Sequence, residues 1–130
     1  MAKPIGGSWT SKFYRTKAST AYAKGDMLMS DGTDIIPATS AAATVLGIAD
    51  QAKAVGDATN GRIKVLVPRG PAATMQVAMT GTFTAAYEGR AYDVSDSTTV
   101  TTGATTYKCI QIDKFLSSTS AIVSIRPPIA

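Results

Sequence analysis

The run Arg62-Ile63-Lys64-Val65-Leu66-Val67 ends abruptly at Pro68-Arg69-Gly70-Pro71. Ile63, Val65 and Val67 are β-branched and alternate with Lys64 and Leu66, the pattern of a strand with a buried face. Proline cannot donate to a ladder, so Pro68 stops the strand, and the Pro-Arg-Gly-Pro sequence forces a turn. A second run, Ala121-Ile122-Val123-Ser124-Ile125, stops in the same way at Arg126-Pro127-Pro128. Each run closes a series of short strand-like stretches, and the two series share an order. The chain is therefore expected to be mainly β: a small β-barrel or compact β-sandwich built from two similar strand-turn units.

The first unit spans residues 21–70. Lys24-Gly25-Asp26 is a turn, Met27-Leu28-Met29 a short strand, and Ser30-Asp31-Gly32-Thr33 a tight turn in which Asp-Gly supplies positive φ. Asp34-Ile35-Ile36-Pro37 returns. Residues 38–44 are small and polar, a loop or one weak helical turn. Val45-Leu46-Gly47-Ile48-Ala49 is the next strand, where Gly47 signals a bulge or a close backbone approach. A polar turn over residues 56–61 precedes the final run. Residues 71–86 form a bridging strand, with Met75, Val77, Met79 and Phe83 at even spacing. The second unit, residues 87–130, repeats the plan. Tyr92-Asp93-Val94-Ser95-Asp96 matches residues 27–31, Thr99-Val100-Thr101 matches the region of Ile35, Cys109-Ile110-Gln111-Ile112 that of residues 45–48, and Ile122 to Ile125 that of Ile63 to Leu66.

Residues 1–20 stand apart as an extended basic N-terminal arm before a single β domain, residues 21–130. Lys3, Lys12, Arg15, Lys17 and Lys24 all precede the first acidic residue, Asp26, and beyond Gly25 the acidic residues outnumber the basic ones by one. The net charge of +4 thus belongs to the beginning of the chain. Trp9, Phe13 and Tyr14 lie among these cations. Such rings bury large areas when given a partner, so docking on the body or on a neighbour is expected. Trp9, Lys12, Phe13, Tyr14, Arg15 and Lys17 are the candidate binding residues.

Chemistry is harder to find. Without histidine, Ser-His and Cys-His nucleophile pairs and Cys/His zinc sites are excluded, and one cysteine makes no intrachain disulfide. Asp31 with Asp34, and Asp93 with Asp96, are close in sequence but sit in expected turns, where aspartate caps its own backbone. Cys109 among Tyr107, Ile110 and Ile112 reads as a buried, inert thiol. Met27, Met29, Met75 and Met79 read as core filler, with a partner-facing role left open. No apolar run approaches the roughly 20 residues of a membrane-spanning helix. The N-terminus carries no apolar secretory segment. No enzyme activity, cofactor, metal or membrane partner is expected, and synthesis in a reducing cytoplasm is.

Tyr22-Ala23-Lys24-Gly25-Asp26-Met27-Leu28 with Asp31-Gly32, then Val45 to Ala49, then Ile63 to Gly70, resembles the small capsid decoration (cement) proteins of tailed bacteriophages. The resemblance covers residues 21–81 and extends more faintly over residues 87–127. It implies a β-rich, often trimeric protein without catalytic residues, placed on the outer surface of the virion. Its partner would be the major capsid protein, whose neighbouring subunits it would clamp, with the N-terminal arm as a capsid anchor. The competing expectations are a nucleic-acid-binding β-barrel that uses the basic aromatic arm, and a virion surface fibre or adhesin module. Nucleic acid is the less favoured partner, because the five cations before Asp26 are few and the body adds no basic stripe.

Overall fold

The computed structural model describes residues 2–55, 61–70 and 72–126. In chain order the strands are β1 (Lys3–Gly6), β2 (Trp9–Arg15), β3 (Met27–Ser30), β4 (Ile35–Pro37), β5 (Gly47–Ala49), β6 (Arg62–Pro68), β7 (Thr74–Thr80), β8 (Ala91–Val94), β9 (Thr99–Thr101), β10 (Ile110–Ser117) and β11 (Ser120–Ile125). A single 3-10 turn, Ala85–Tyr87, is the helical element among the described residues. The expected β class holds. The polar turn placed at residues 56–61 lies largely outside the described residues, as do Pro71 and the closing Pro127-Pro128.

Five strands close a small barrel in the order β7-β11-β10-β8-β9, with β9 returning to β7 as a parallel neighbour, and β1 adds to the outside of β7. The second sheet runs β2-β6-β5-β3-β4. The two orders are the same order. Strands β2, β6, β5, β3 and β4 of one unit take the places of β7, β11, β10, β8 and β9 of the other. The second sheet curls the same way, and a parallel bridge from Thr16 to Ile35 joins its two edges where β7 meets β9 in the barrel.

Matching the ladders sets Leu28 against Tyr92, Ile35 against Val100, Ala49 against Ile112, Val65 against Val123 and Tyr14 against Val77. The sequence pattern had set Met27 against Tyr92, one residue away. The difference arises at the hairpin. Four residues separate the pair Ser30–Ile35, and five separate Val94–Val100. Ser95 is the additional residue, and its N–H donates to the Thr99 carbonyl at 3.0 Å. One extra residue exchanges the two faces of a strand, so the ladder and not the letter pattern decides which side chains correspond.

The larger core fills the barrel with Met75, Val77, Met79, Tyr92, Val94, Val100, Ile110, Ile112 and Val123, and draws Met27, Ala38, Ala42, Val45 and Ile48 from the first unit. A smaller core of Tyr22, Leu28, Ile35, Ala49, Ile63 and Val65 lies within the second sheet. Met27, Met75 and Met79 are buried, and Met29 packs at the margin of the larger core. Gly47 marks a close approach, as expected: a Cβ there would stand 2.3 Å from the Leu66 carbonyl oxygen.

The segment read as a separate arm is part of the fold. β1 pairs antiparallel with β7, and β2 pairs antiparallel with β6 along its whole length. Ala2 is buried, and its N–H donates to the Gly25 carbonyl at 2.8 Å. The division into an arm and a self-sufficient body is therefore corrected by two strands. Gly7, at φ 71°, lets the chain leave the barrel side at β1 and enter the other sheet at β2. A weak apolar pattern in residues 1–20 hid this, because both strands are short or edge-like and expose much of their surface.

Candidate interaction surface

β2 carries five of the six candidate residues, and alternation divides them. Tyr14 turns inward and packs on the smaller core, whereas Phe13 turns outward and is 61% exposed. Trp9 is half-buried against the larger core, and its Nε1–H donates to the Gly6 carbonyl at 3.0 Å. Trp9 and Tyr14 thus hold β2 to its own protein. The exposed set is Lys12, on the face of Tyr14, and Phe13 and Arg15, on the other, with Lys17 just beyond the strand.

Two of these cations are already paired. Arg15 Nε meets Asp34 Oδ1 at 3.1 Å, and Lys17 Nζ meets Asp31 Oδ2 at 3.2 Å. Both aspartates belong to the β3–β4 turn. Exposed pairs of this kind contribute little to stability, but they leave less free charge than the sequence suggests. Lys64, across from Phe13, pairs with Asp50 at 3.3 Å. Among the described residues Lys12, Arg62 and Arg69 have no ion-pair partner. Lys12 and Arg69 line one groove with Thr10, Val67 and Pro68. The body does contribute cations beside β2, a signal missed because Arg62 and Arg69 are remote in sequence and register brings them there.

The carboxylates do structural work. Asp31 Oδ1 accepts the N–H groups of Asp34 and Thr33 at 2.8 and 2.9 Å, and these bonds, with Lys17 Nζ, lower its pKa to about 2. Asp96 Oδ1 accepts from the Thr98 and Thr99 N–H groups at 2.8 and 2.9 Å, which likewise lowers its pKa. The capping expected of these two turn aspartates is what the geometry shows. Asp34 instead faces Arg15. Asp93, expected in a turn, lies buried in β8, and its carboxylate receives the N–H groups of Thr106, Tyr107 and Lys108. Asp26 of the Lys-Gly-Asp turn is buried too. It accepts the Ala23 N–H at 2.9 Å and the Ser97 hydroxyl at 3.2 Å, and so joins the two units.

Cys109 is 2% exposed, and burial raises its thiol pKa above the ordinary value. Tyr22 is buried, and burial raises its pKa against the opposing effect of the Lys17 N–H; its hydroxyl accepts that N–H at 2.9 Å and donates to the Ile35 carbonyl. Among the described residues no group of three His, Cys, Asp or Glu side chains could hold a metal ion, and no helix is long and apolar enough to cross a membrane.

No protein-family model matches the chain, and a search of curated proteins finds no match.

Proposed function

We propose that this protein is a structural virion component that binds the outer surface of a phage capsid and stabilises contacts between major capsid subunits, acting as a homotrimer. The observation that carries the reading is the outward side of β2. Phe13 stands exposed on a paired strand, on the face it shares with Lys64 and Arg62 of β6, while Lys12 and Arg69 line a groove on the other face. An exposed ring on a strand that also carries or borders unpaired cations suits an acidic protein surface: the ring supplies buried area and the charges speed encounter. The Lys-Gly-Asp turn, the Asp-Gly turn and the Gly-Ile-Ala strand of the resemblance fall just before β3, in the β3–β4 turn and at β5, in the same sheet as β2. The anchoring side chain of this reading is Phe13, because Trp9 is engaged with its own core.

Sedimentation of the purified chain with capsids of its parent phage tests the proposal. Binding that saturates at a fixed ratio to capsid subunits, and that raises the temperature at which the capsids open, is the expected result. Binding to naked DNA or RNA that falls steeply with salt, without binding to capsids, would favour the nucleic-acid reading instead. Sedimentation equilibrium of the free chain, and its arrangement on the particle by electron microscopy, test the trimer.

A further inference from the structure

The two units differ at one edge. In the barrel, β11 covers one side of β7. Its other side is shared: β9 covers Ala78 to Thr80, and β1 covers Thr74 to Gln76. In the second sheet, β6 covers one side of β2, and the Thr16–Ile35 bridge occupies the place of β9. The ladders set Ser11, Lys12 and Phe13 against Thr74, Met75 and Gln76. Among the described residues no strand pairs with β2 there, and Ser11, Lys12 and Phe13 are exposed.

Backbone direction supports the same comparison. The Ser8 carbonyl accepts the Arg69 N–H, and the Thr16 N–H donates to the Gly61 carbonyl, so residues 8, 10, 12, 14 and 16 turn their peptide groups toward β6. Ser11 and Phe13 therefore present theirs to the open side. The corresponding groups of Thr74 and Gln76 face β1. The reason the second sheet lacks a cover strand is also local. β1 precedes β2 and crosses to β7, whereas the residues preceding β7 are consumed in β6, which extends to Pro68.

We infer that this open edge of β2, at Ser11, Lys12 and Phe13, accepts an extended acidic segment of a partner as an additional antiparallel strand. Charge selects the occupant. A second copy meeting this edge antiparallel, Ser11 to Phe13, would bring Lys12 against its own counterpart, and like charges across a ladder are repulsive. A segment bearing carboxylates at alternate positions meets Lys12 and Arg69 on one face. Apolar side chains at the other positions then lie over Phe13, since alternation sends Lys12 and Phe13 to opposite faces. Addition of a strand to an exposed edge takes its affinity from main-chain bonds and its specificity from such alternate side chains. The inference rests on the decoration reading only for the source of the segment; the edge and its chemistry stand on the ladders.

The probe is a capped peptide of alternating glutamate and valine, titrated into the full chain and followed by amide chemical shifts. Shifts should concentrate at Ser11, Lys12 and Phe13, and binding should weaken as salt rises. Its backbone N-methylated form and an alternating lysine–valine peptide should not bind. Ser11→Pro removes an N–H that faces outward and spares the β6 ladder, so it should abolish binding with the fold retained. Lys12→Glu should weaken binding about tenfold, as expected for loss and reversal of a facing charge, and it decides the matter should Ser11→Pro fail to fold. Equal binding of both peptide charges, undiminished binding by Lys12→Glu, or dimerisation of the chain through β2 would each overturn the inference. Peptide binding without capsid binding would leave the edge standing and remove the decoration reading. Capsid binding unchanged by Lys12→Glu, together with no peptide binding, would do the reverse.

Discussion

Met27 and Ser97 meet across the join between the two units: the Met27 N–H donates to the Ser97 carbonyl at 2.7 Å, and the Ser97 hydroxyl donates to Asp26 beside it. Because Met27 and Ile48 also enter the larger core, the units are expected to unfold together. Asp26→Ala leaves the Ala23 N–H and the Ser97 hydroxyl without their acceptor and should cost about 1–3 kcal/mol. Urea titrations followed by Trp9 fluorescence and by circular dichroism should coincide in the wild type and in the variant. Separate transitions would show that the join is weak.

Acid should weaken the protein in a defined window. Asp31 is held at about 2 by the Asp34 and Thr33 N–H groups and Lys17, below its ordinary 3.8, and Asp96 is lowered by the Thr98 N–H and its neighbours. A carboxylate whose folded pKa is depressed stabilises fully above its unfolded value and loses that contribution as pH falls through the folded one. Melting temperature should therefore fall between about pH 4 and pH 2, and Asp31→Asn should flatten that part of the profile. An unchanged slope in Asp31→Asn would assign the acid sensitivity elsewhere.

Two glycines in the first unit separate crowding from backbone conformation. At Gly47 a Cβ would meet the Leu66 carbonyl at 2.3 Å, a backbone atom that cannot swing aside. At Gly32 a Cβ meets open space, but φ is 99°. Gly32→Ala should cost about 1–2 kcal/mol, the strain of a left-handed residue. Gly47→Ala must part β5 from β6 and should cost about 3 kcal/mol or more, the upper range of overpacking. Thermal melts that rank the two the other way would deny the close approach.

Deleting residues 2–16 should unfold the chain, not merely disarm it. The deletion strips β1 from β7 and β2 from β6, and removes Tyr14 from the smaller core and Trp9 from the larger. Loss of dispersed amide signals in the nuclear magnetic resonance spectrum is the expected outcome. Phe13→Ser, by contrast, changes an outward ring and should stay within about 0.5 kcal/mol of wild type.

Nine strands were readable because Ile63, Val65, Val77, Ile112 and Val123 alternate, and because Gly32, Pro37 and Pro68 punctuate. The strands β1 and β2 were not, since edge strands expose most of their residues and Lys-Pro-Ile-Gly carries no period. The length of β10 was also hidden. It continues through Asp113 and Lys114 with shifts in its pairing to β11, and a bulged polar strand reads as loop. At the surface, the residue types in Trp9 to Lys17 drew attention to the right strand, but composition alone could not say which rings point inward. That depends on register with β6, which Tyr14 opposite Ile63 and Phe13 opposite Lys64 make plain.

The pairing of β1 with β7 has a consequence for how the molecule is made. Strands β2 to β6 can find one another as soon as Pro68 has left the ribosome. The four-residue β1, synthesised before any of them, has no ladder to join until Thr74 to Gln76 emerge. Partners so distant along the chain close slowly, because the entropy of the intervening loop must be met first. During translation β1 therefore waits without a ladder, and it is the arrival of the second unit's first strand that secures it.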